Sequence, residues 1–221
     1  MTLNNYRPYV SFILEPCASV LVRIGLTPNR VSVLSLVFAI LAGVSYYYSY
    51  DNRIYLVAAL VFVILNSFTD AVDGVMARLF NMQSDRGDFL DHVIDRYADT
   101  FIICGIFFAG YVHWMAGVAA ITGVLITSYM GTQAQAVGGT RHYGGIMGRA
   151  DRLALIIMVS AANIFYTGQM YSMQLLGWTI VVIAVTSHFT AVQRFLHTWG
   201  EIEGTKGNRD IKDNKRIKDN K

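Results

Sequence analysis

Seven of the chain's 15 carboxylates fall in one run, Asp70 to Asp99, which begins DAVDGVMARLFNMQSDRGDFLDHVID. On a helix, Asp70, Asp73, Gly74 and Ala77 share one stripe with Arg78 at its flank. Beyond the turn NMQSDRG, Asp88, Asp91, Asp95 and Asp99 form a second stripe. Carboxylates this close repel one another and would have to bind protons, so one or two divalent cations are their natural neutraliser. The chain offers no clustered Cys or His, and hard oxygen donors select Mg²⁺, Mn²⁺ or Ca²⁺ over zinc. Gly74 and Ala77 leave the first ridge bare for a bulky ligand, and Gly87 does the same where the second helix begins. Arg78, one turn beyond Asp73, presents a planar fork suited to phosphate oxygens. Acid for metal, and metal with arginine for phosphate, together read as a diphosphate site in which paired ions clamp an in-line displacement.

The elements that must position these residues are membrane helices. The 221-residue chain is 54% hydrophobic and 15% charged, with a mean hydropathy of +0.40, which fits a single membrane domain better than a soluble one. A net charge of +3 gives no general basic surface, so nucleic acid is excluded as a partner. Taking about 20 apolar residues per crossing, six spans are predicted: 31–50, 54–80, 89–112, 114–137, 152–166 and 173–195. An amphipathic segment over 1–25, interrupted by Arg7, Glu15 and Arg23, is expected to lie in the interface. It lacks the features of a signal peptide. The six-helix catalytic domain occupies 26–199, and the polar tail over 200–221, with its repeated IKDNK, is expected to be disordered and to rest on anionic lipid headgroups. With the N-terminus inside, only Arg53 of the 18 Lys and Arg lies outside. This predicts a multi-pass protein of the cell membrane whose site faces the cytoplasm. Thr27 and Pro28 read as a helix N-cap and first helical position, and Cys17 and Cys104 as unpaired packing residues.

The pattern D-x-x-D-G-x-x-A-R, eight residues, G-x-x-x-D-x-x-x-D is met by Asp70, Asp73, Gly74, Ala77, Arg78, Gly87, Asp91 and Asp95. It resembles the signature of the CDP-alcohol phosphotransferases, integral membrane enzymes of phospholipid synthesis. The six-span layout, the preceding amphipathic helix and the TPN before the first span are similar too, so the resemblance covers residues 5–199. It implies two divalent ions, Mg²⁺ or Mn²⁺, held by Asp70, Asp73, Asp91 and Asp95. It also implies that Asp95 acts as general base and that a CDP-activated lipid sits against Asn29, Asp73, Gly74, Ala77, Arg78 and Gly87. The acceptor hydroxyl would attack the lipid-side phosphorus and release CMP. Dimerisation is common in that family, so a homodimer is expected.

The acceptor, a small polar alcohol, is written in a second region. SYMGTQAQAVG, GTRHYGGIMGRADRLALI and VQRFLHTW are similar to phosphatidylinositol-phosphate synthases and their archaeal ether-lipid counterparts, which use inositol 1-phosphate. In those proteins the fourth span carries basic residues where Gly131 and Gln133 stand here, and an acidic one at Gln135. Arg149 and Arg152 remain, spaced to grip an anion, with Arg141 and His142 nearby in a glycine-rich loop. Inositol 1-phosphate is therefore the expected acceptor, with glycerol 3-phosphate, serine or free inositol as alternatives. Membrane flanking by cations explains Arg149 and Arg152 equally simply.

Neighbouring residues have plainer readings. His92 points about 100° away from Asp91 on its helix, which favours packing or support of the site. Asp88 reads as a cap, and Asp99 as a partner across spans or for Arg96. An aromatic belt accounts for Tyr46, Tyr47, Tyr48 and Tyr50. A membrane prenyltransferase usually separates its two acidic motifs widely in sequence. A divalent-cation transporter explains the acids but not the spacing of Gly74, Ala77, Arg78 and Gly87.

Overall fold

Pro28 opens the first strongly apolar helix because its fixed φ suits the first helical position and its missing N–H loses no intrahelical bond. In the computed structural model, which describes the backbone of residues 7–137 and 144–219 and the side chains of 12–137 and 144–202, this helix is the second of seven. They are α1 (Arg7–Arg23), α2 (Pro28–Tyr48), α3 (Arg53–Leu79), α4 (Asp85–Phe108), α5 (Trp114–Ala136), α6 (Arg149–Phe165) and α7 (Leu175–Asp219). Among the described residues there is no strand, only an isolated bridge between Met170 and Met173. Among the described residues, four helices are long and apolar enough to cross a membrane: α2, α3, α5 and the Leu175–Ile202 part of α7. The carboxylates of α4 and the 17-residue length of α6 keep those two below that standard.

Local chemistry sets the boundaries. Thr27 takes the extended N-cap conformation ahead of Pro28, as the sequence suggests, but its side chain makes no cap hydrogen bond. Asn52 caps α3 by accepting from the Ile54 N–H at 2.9 Å. Ser84 caps α4 by accepting from the Gly87 N–H at 3.1 Å, so Ser84 rather than Asp88 begins that helix. Between α3 and α4, Asn81 adopts φ 54° and the Met82 N–H donates to Ala77 O at 2.9 Å. This left-handed stop suits Asn and reverses the chain in a few residues. It is what brings the two acidic ridges face to face.

Packing holds the ridges in register. α2 lies against both α3 and α4, α5 against α7, and α6 against α3 and α7. Buried Ala39, Ala42, Leu56, Ala59, Val63, Ile102 and Ile106 form the centre of the main core. Gly43 and Gly105 mark the α2–α4 crossing: a Cβ on Gly105 would overlap the Gly43 carbonyl oxygen, and one on Gly43 would overlap Phe101 O. The glycines thus permit backbone contact that no larger residue allows. A smaller cluster of Leu14, Ala18, Val31, Val72 and Met76 seats α1 on α2 and α3. Cys17 and Cys104 are free thiols. The backbone after residue 199 is helical to Asp219, unlike the irregular tail expected from composition, because extending an existing helix needs no new nucleus.

Candidate active site

The last three turns of α3 and the first three of α4 supply the acidic residues, and the reversal at Asn81 makes them converge. One carboxylate oxygen from each of Asp70, Asp73 and Asp91 lies within 4.8 Å of the others. Ligand atoms of Asp91, His92 and Asp95 meet the same criterion of 4.8 Å, so the two groups share Asp91. Asp73 is buried, and Ser32 on α2 donates to its Oδ2. The Oδ1 of Asp70 is buried without a hydrogen-bond partner. An orphaned carboxylate oxygen among converging acids is what an oxygen-preferring divalent ion satisfies. The donor set therefore fits Mg²⁺ or Mn²⁺.

Arg149, the first residue of α6, reaches into this cluster. Its Nη1 donates to Asp70 Oδ2 at 2.7 Å and lies 2.8 Å from Asp95 Oδ1. Asp95 Oδ2 also accepts from Arg96 Nη1 at 3.3 Å. Arg152, one turn further along α6, donates from Nη2 to Asp99 Oδ2 at 2.6 Å. Asp99 therefore pairs across helices with Arg152, while Arg96 turns instead to Ser128, the His92 carbonyl and Asp95. Arg149 and Arg152, expected either to grip an anion or to flank the membrane, both neutralise carboxylates of the chain itself. Each keeps capacity to spare: Arg149 Nε and Nη2 and Arg152 Nε are buried without hydrogen-bond partners.

Two cavities open on either side of the acids. The first, about 250 Å³, is lined by Asn29, Ser32, Asp73, Gly74, Ala77, Arg78, Ser84, Gly87 and Asp91 among others. It gathers every residue that the sequence assigns to the CDP-lipid. A Cβ on Gly87 would come 3.1 Å from Asn29 Oδ1, so the bare glycine keeps this cavity open. The second, about 180 Å³, has Asp95 and Asp99 on its wall together with Arg96, Arg149, Arg152, Arg194, Ser128 and Gly131. Arg141, assigned to the acceptor by sequence, and His142 lie outside the described residues.

Sequence reasoning passed over Ser32 and Arg194. Arg194 donates from Nη1 to Thr127 O at 2.8 Å and from Nε to Gly144 O at 3.0 Å. A Cβ at Gly131 would come 3.2 Å from Arg194 Nη1, so the small residue on α5 leaves room for a cation delivered by α7. A signal existed, because Arg194 is the only Lys or Arg between 173 and 200, and a cation in an apolar helix marks a partner or a site. Ser32 carried no such signal.

Against this geometry, residues 25–186 match the family model for CDP-alcohol phosphatidyltransferase. The archaetidylinositol phosphate synthase of Pyrococcus horikoshii is 32% identical over 176 residues, covering 80% of this chain and 90% of the relative. The phosphatidylinositol phosphate synthase of Streptomyces avermitilis is 28% identical over 205 residues, covering 87% and 80%. Among solved structures, Mycobacterium tuberculosis phosphatidylinositol phosphate synthase with CDP-DAG bound superposes with a TM-score of 0.71 at 26% identity, over 85% of this chain and 94% of that one. The same synthase in complex with manganese and citrate gives a TM-score of 0.71 at 26% identity, over 84% and 88%.

An all-helical membrane protein with this signature and these relatives has one assignment: the chain belongs to the CDP-alcohol phosphatidyltransferase family. It is a metal-dependent transferase of phospholipid synthesis that moves a phosphatidyl-type group from a CDP-lipid to the hydroxyl of a small polar acceptor, releasing CMP.

Proposed function

We propose that the acceptor is inositol 1-phosphate. The observation that carries this reading is the second cavity, where four arginines surround a space bordered by Asp95. A phosphorylated polyol brings the anion that such a cradle suits, and it brings the hydroxyl that Asp95 would deprotonate. The names of the relatives, archaetidylinositol and phosphatidylinositol phosphate synthases, support the same acceptor. Gly131 and Gln133 stand where basic residues are expected, and Arg194 offers a replacement charge at the place Gly131 leaves open. Glycerol 3-phosphate is the second reading, because the same cradle suits any small phosphomonoester. Membership of the family removes the cation-transporter alternative.

Asp70, Asp73, Asp91 and Asp95 hold two divalent ions, Mg²⁺ or Mn²⁺, in this reading. When bound, these stabilise charge developing on the diphosphate and acidify the attacking hydroxyl. The nucleotide occupies the first cavity against Asn29, Gly74, Ala77, Arg78 and Gly87, with Arg78 toward phosphate. Arg149, Arg152 and Arg194 hold the acceptor's phosphate, with Arg141 as a further candidate. Asp95 takes the proton as the acceptor oxygen bonds to the lipid-side phosphorus and the bond from that phosphorus to CMP breaks.

The arrangement in the bilayer follows the sequence reading. α4 and α6 complete a six-helix span alongside the four long apolar helices, their polar ends gathered at the cytoplasmic face. α1 lies in the interface, with Phe12, Ile13 and Val20 exposed toward lipid and its opposite side packed on α2 and α3. The protein acts as a homodimer in the cell membrane. The deciding experiment is CMP release from one CDP-lipid in detergent, with Mg²⁺ or Mn²⁺, against inositol 1-phosphate, glycerol 3-phosphate, serine and free inositol. Inositol 1-phosphate is expected to be used with the highest kcat/KM, and preference for an unphosphorylated alcohol would overturn the reading.

A further inference from the structure

We propose that Asp99 is a positioning residue for the acceptor: its carboxylate holds Arg152 and Arg149 so that their remaining N–H groups face the anion in the arginine-lined cavity. The inference rests on the reading of that cavity as the acceptor site.

Asp99 lies one turn beyond Asp95 on α4 and is only 7% exposed. A carboxylate buried in a helix bundle persists when it is paired, and removing its partner leaves an expensive charge. Both of its oxygens face arginines of α6: Oδ2 is 2.6 Å from Arg152 Nη2 and Oδ1 is 3.8 Å from Arg149 Nε. Arg152 is itself 5% exposed, yet its Nε has no hydrogen-bond partner, and neither does Nη2 of Arg149. Idle N–H groups on buried guanidinium ions carry a desolvation penalty that an acceptor oxygen would relieve. Both belong to residues lining one cavity.

Asp99 differs from the other acids around Arg149. Asp70 and Asp95 belong to the clusters that fit a cation, and Asp99 belongs to neither. A bound cation competes with Arg149 for Asp70 and Asp95, so Asp99 is the carboxylate whose charge stays committed to the arginines. Its negative charge keeps the two guanidinium groups from repelling each other apart, and its position one turn from Asp95 sets their reach relative to the base.

The test is Asp99→Asn, which keeps shape and an acceptor oxygen but loses the charge. CMP release is measured with inositol 1-phosphate and CDP-lipid varied separately, and Mn²⁺ affinity and thermal unfolding are followed in the same detergent. The expected result is an acceptor KM raised about tenfold, with the CDP-lipid KM and Mn²⁺ affinity unchanged. Asp99→Glu keeps the charge and is expected to recover most of the loss. An unchanged acceptor KM in Asp99→Asn, or an equal rise in both KM values, overturns the proposal. Failure of both variants to fold makes Asp99 a folding residue and overturns it too. Wild-type protein that uses no phosphorylated acceptor refutes the acceptor reading instead. Calorimetry with inorganic phosphate and Mn²⁺-loaded protein then judges Asp99 separately: binding weakened in Asp99→Asn supports positioning, whereas equal binding, or none by the wild type, refutes it.

Discussion

The guanidinium of Arg149 is 2.7 Å from Asp70 and 2.8 Å from Asp95, so one cation from α6 bridges carboxylates carried by α3 and α4. The bridge explains how opposed acidic ridges coexist before any ion arrives. It also sets the guanidinium in competition with a divalent ion for the same oxygens, because like charges cannot share them at short range.

Arg149→Gln follows from that competition. In chelator the variant leaves two part-buried carboxylates short of a partner and is expected to lose about 2 kcal/mol of stability, between the values for exposed and buried pairs. In saturating Mn²⁺ the difference from wild type is expected to shrink, since the ion supplies the missing charge. Thermal unfolding in detergent under both conditions checks this. An equal loss in both would show that Arg149 and the ion do not draw on the same carboxylates.

Asp95 borders the arginine-lined cavity and also belongs to a group that fits a cation. Asp95→Asn keeps the volume and removes the carboxylate to which the base role is assigned, and CMP release is expected to fall by about 10²- to 10⁴-fold. Asp70, Asp73 and Asp91 remain as a converging set, so Mn²⁺ binding is expected to weaken without vanishing. Full transfer activity in this variant would remove Asp95 from the role of base.

Gly105→Ala tests the crossing that holds the ridges in register. Alanine gains about 1 kcal/mol in helix propensity over glycine, but its Cβ would overlap the Gly43 carbonyl oxygen, a backbone atom with no rotamer to give way. Overpacking of this kind costs about 1 to 3 kcal/mol or more, so the steric term is expected to win. The variant is expected to melt lower than wild type and to lose activity through displacement of α4. A raised melting temperature would mean that α2 and α4 do not meet at these glycines.

The acidic, glycine-bearing half of the candidate site was legible because helical periodicity alone puts Asp70, Asp73, Gly74, Ala77 and Arg78 on one stripe and Asp91 and Asp95 on another. A single tight turn then suffices to oppose them, and Gln83 and Ser84 of that turn also line the first cavity. The arginine-lined half was less legible, because its cations come from α4, α6 and α7, brought together only by tertiary packing. Arg149 reads in sequence as an anion grip or a membrane-flanking cation, and nothing local reveals that it reaches Asp70, 79 positions away. The same holds for Ser32, whose contact with Asp73 spans 41 positions. Most element boundaries shifted by a few residues, where caps such as Ser84 outweigh hydropathy.

Gly87→Ala separates the two cavities. The added Cβ would come 3.1 Å from Asn29 Oδ1 and 3.2 Å from Ser84 Oγ, and Ser84 is already committed to capping α4. Asn29 must therefore shift into the cavity assigned to the nucleotide. At Gly74 the nearest atom to an added Cβ is the tip of Arg78, at 3.4 Å, an ordinary contact that a flexible side chain absorbs. Alanine favours helix over glycine by about 1 kcal/mol, so neither change is expected to lower stability much. Gly87→Ala is expected to raise the CDP-lipid KM roughly three- to tenfold, Gly74→Ala less, and both are expected to leave the acceptor KM alone. Steady-state kinetics with each substrate varied in turn measures the split. A rise in the acceptor KM with the CDP-lipid KM unchanged would exchange the roles assigned to the two cavities.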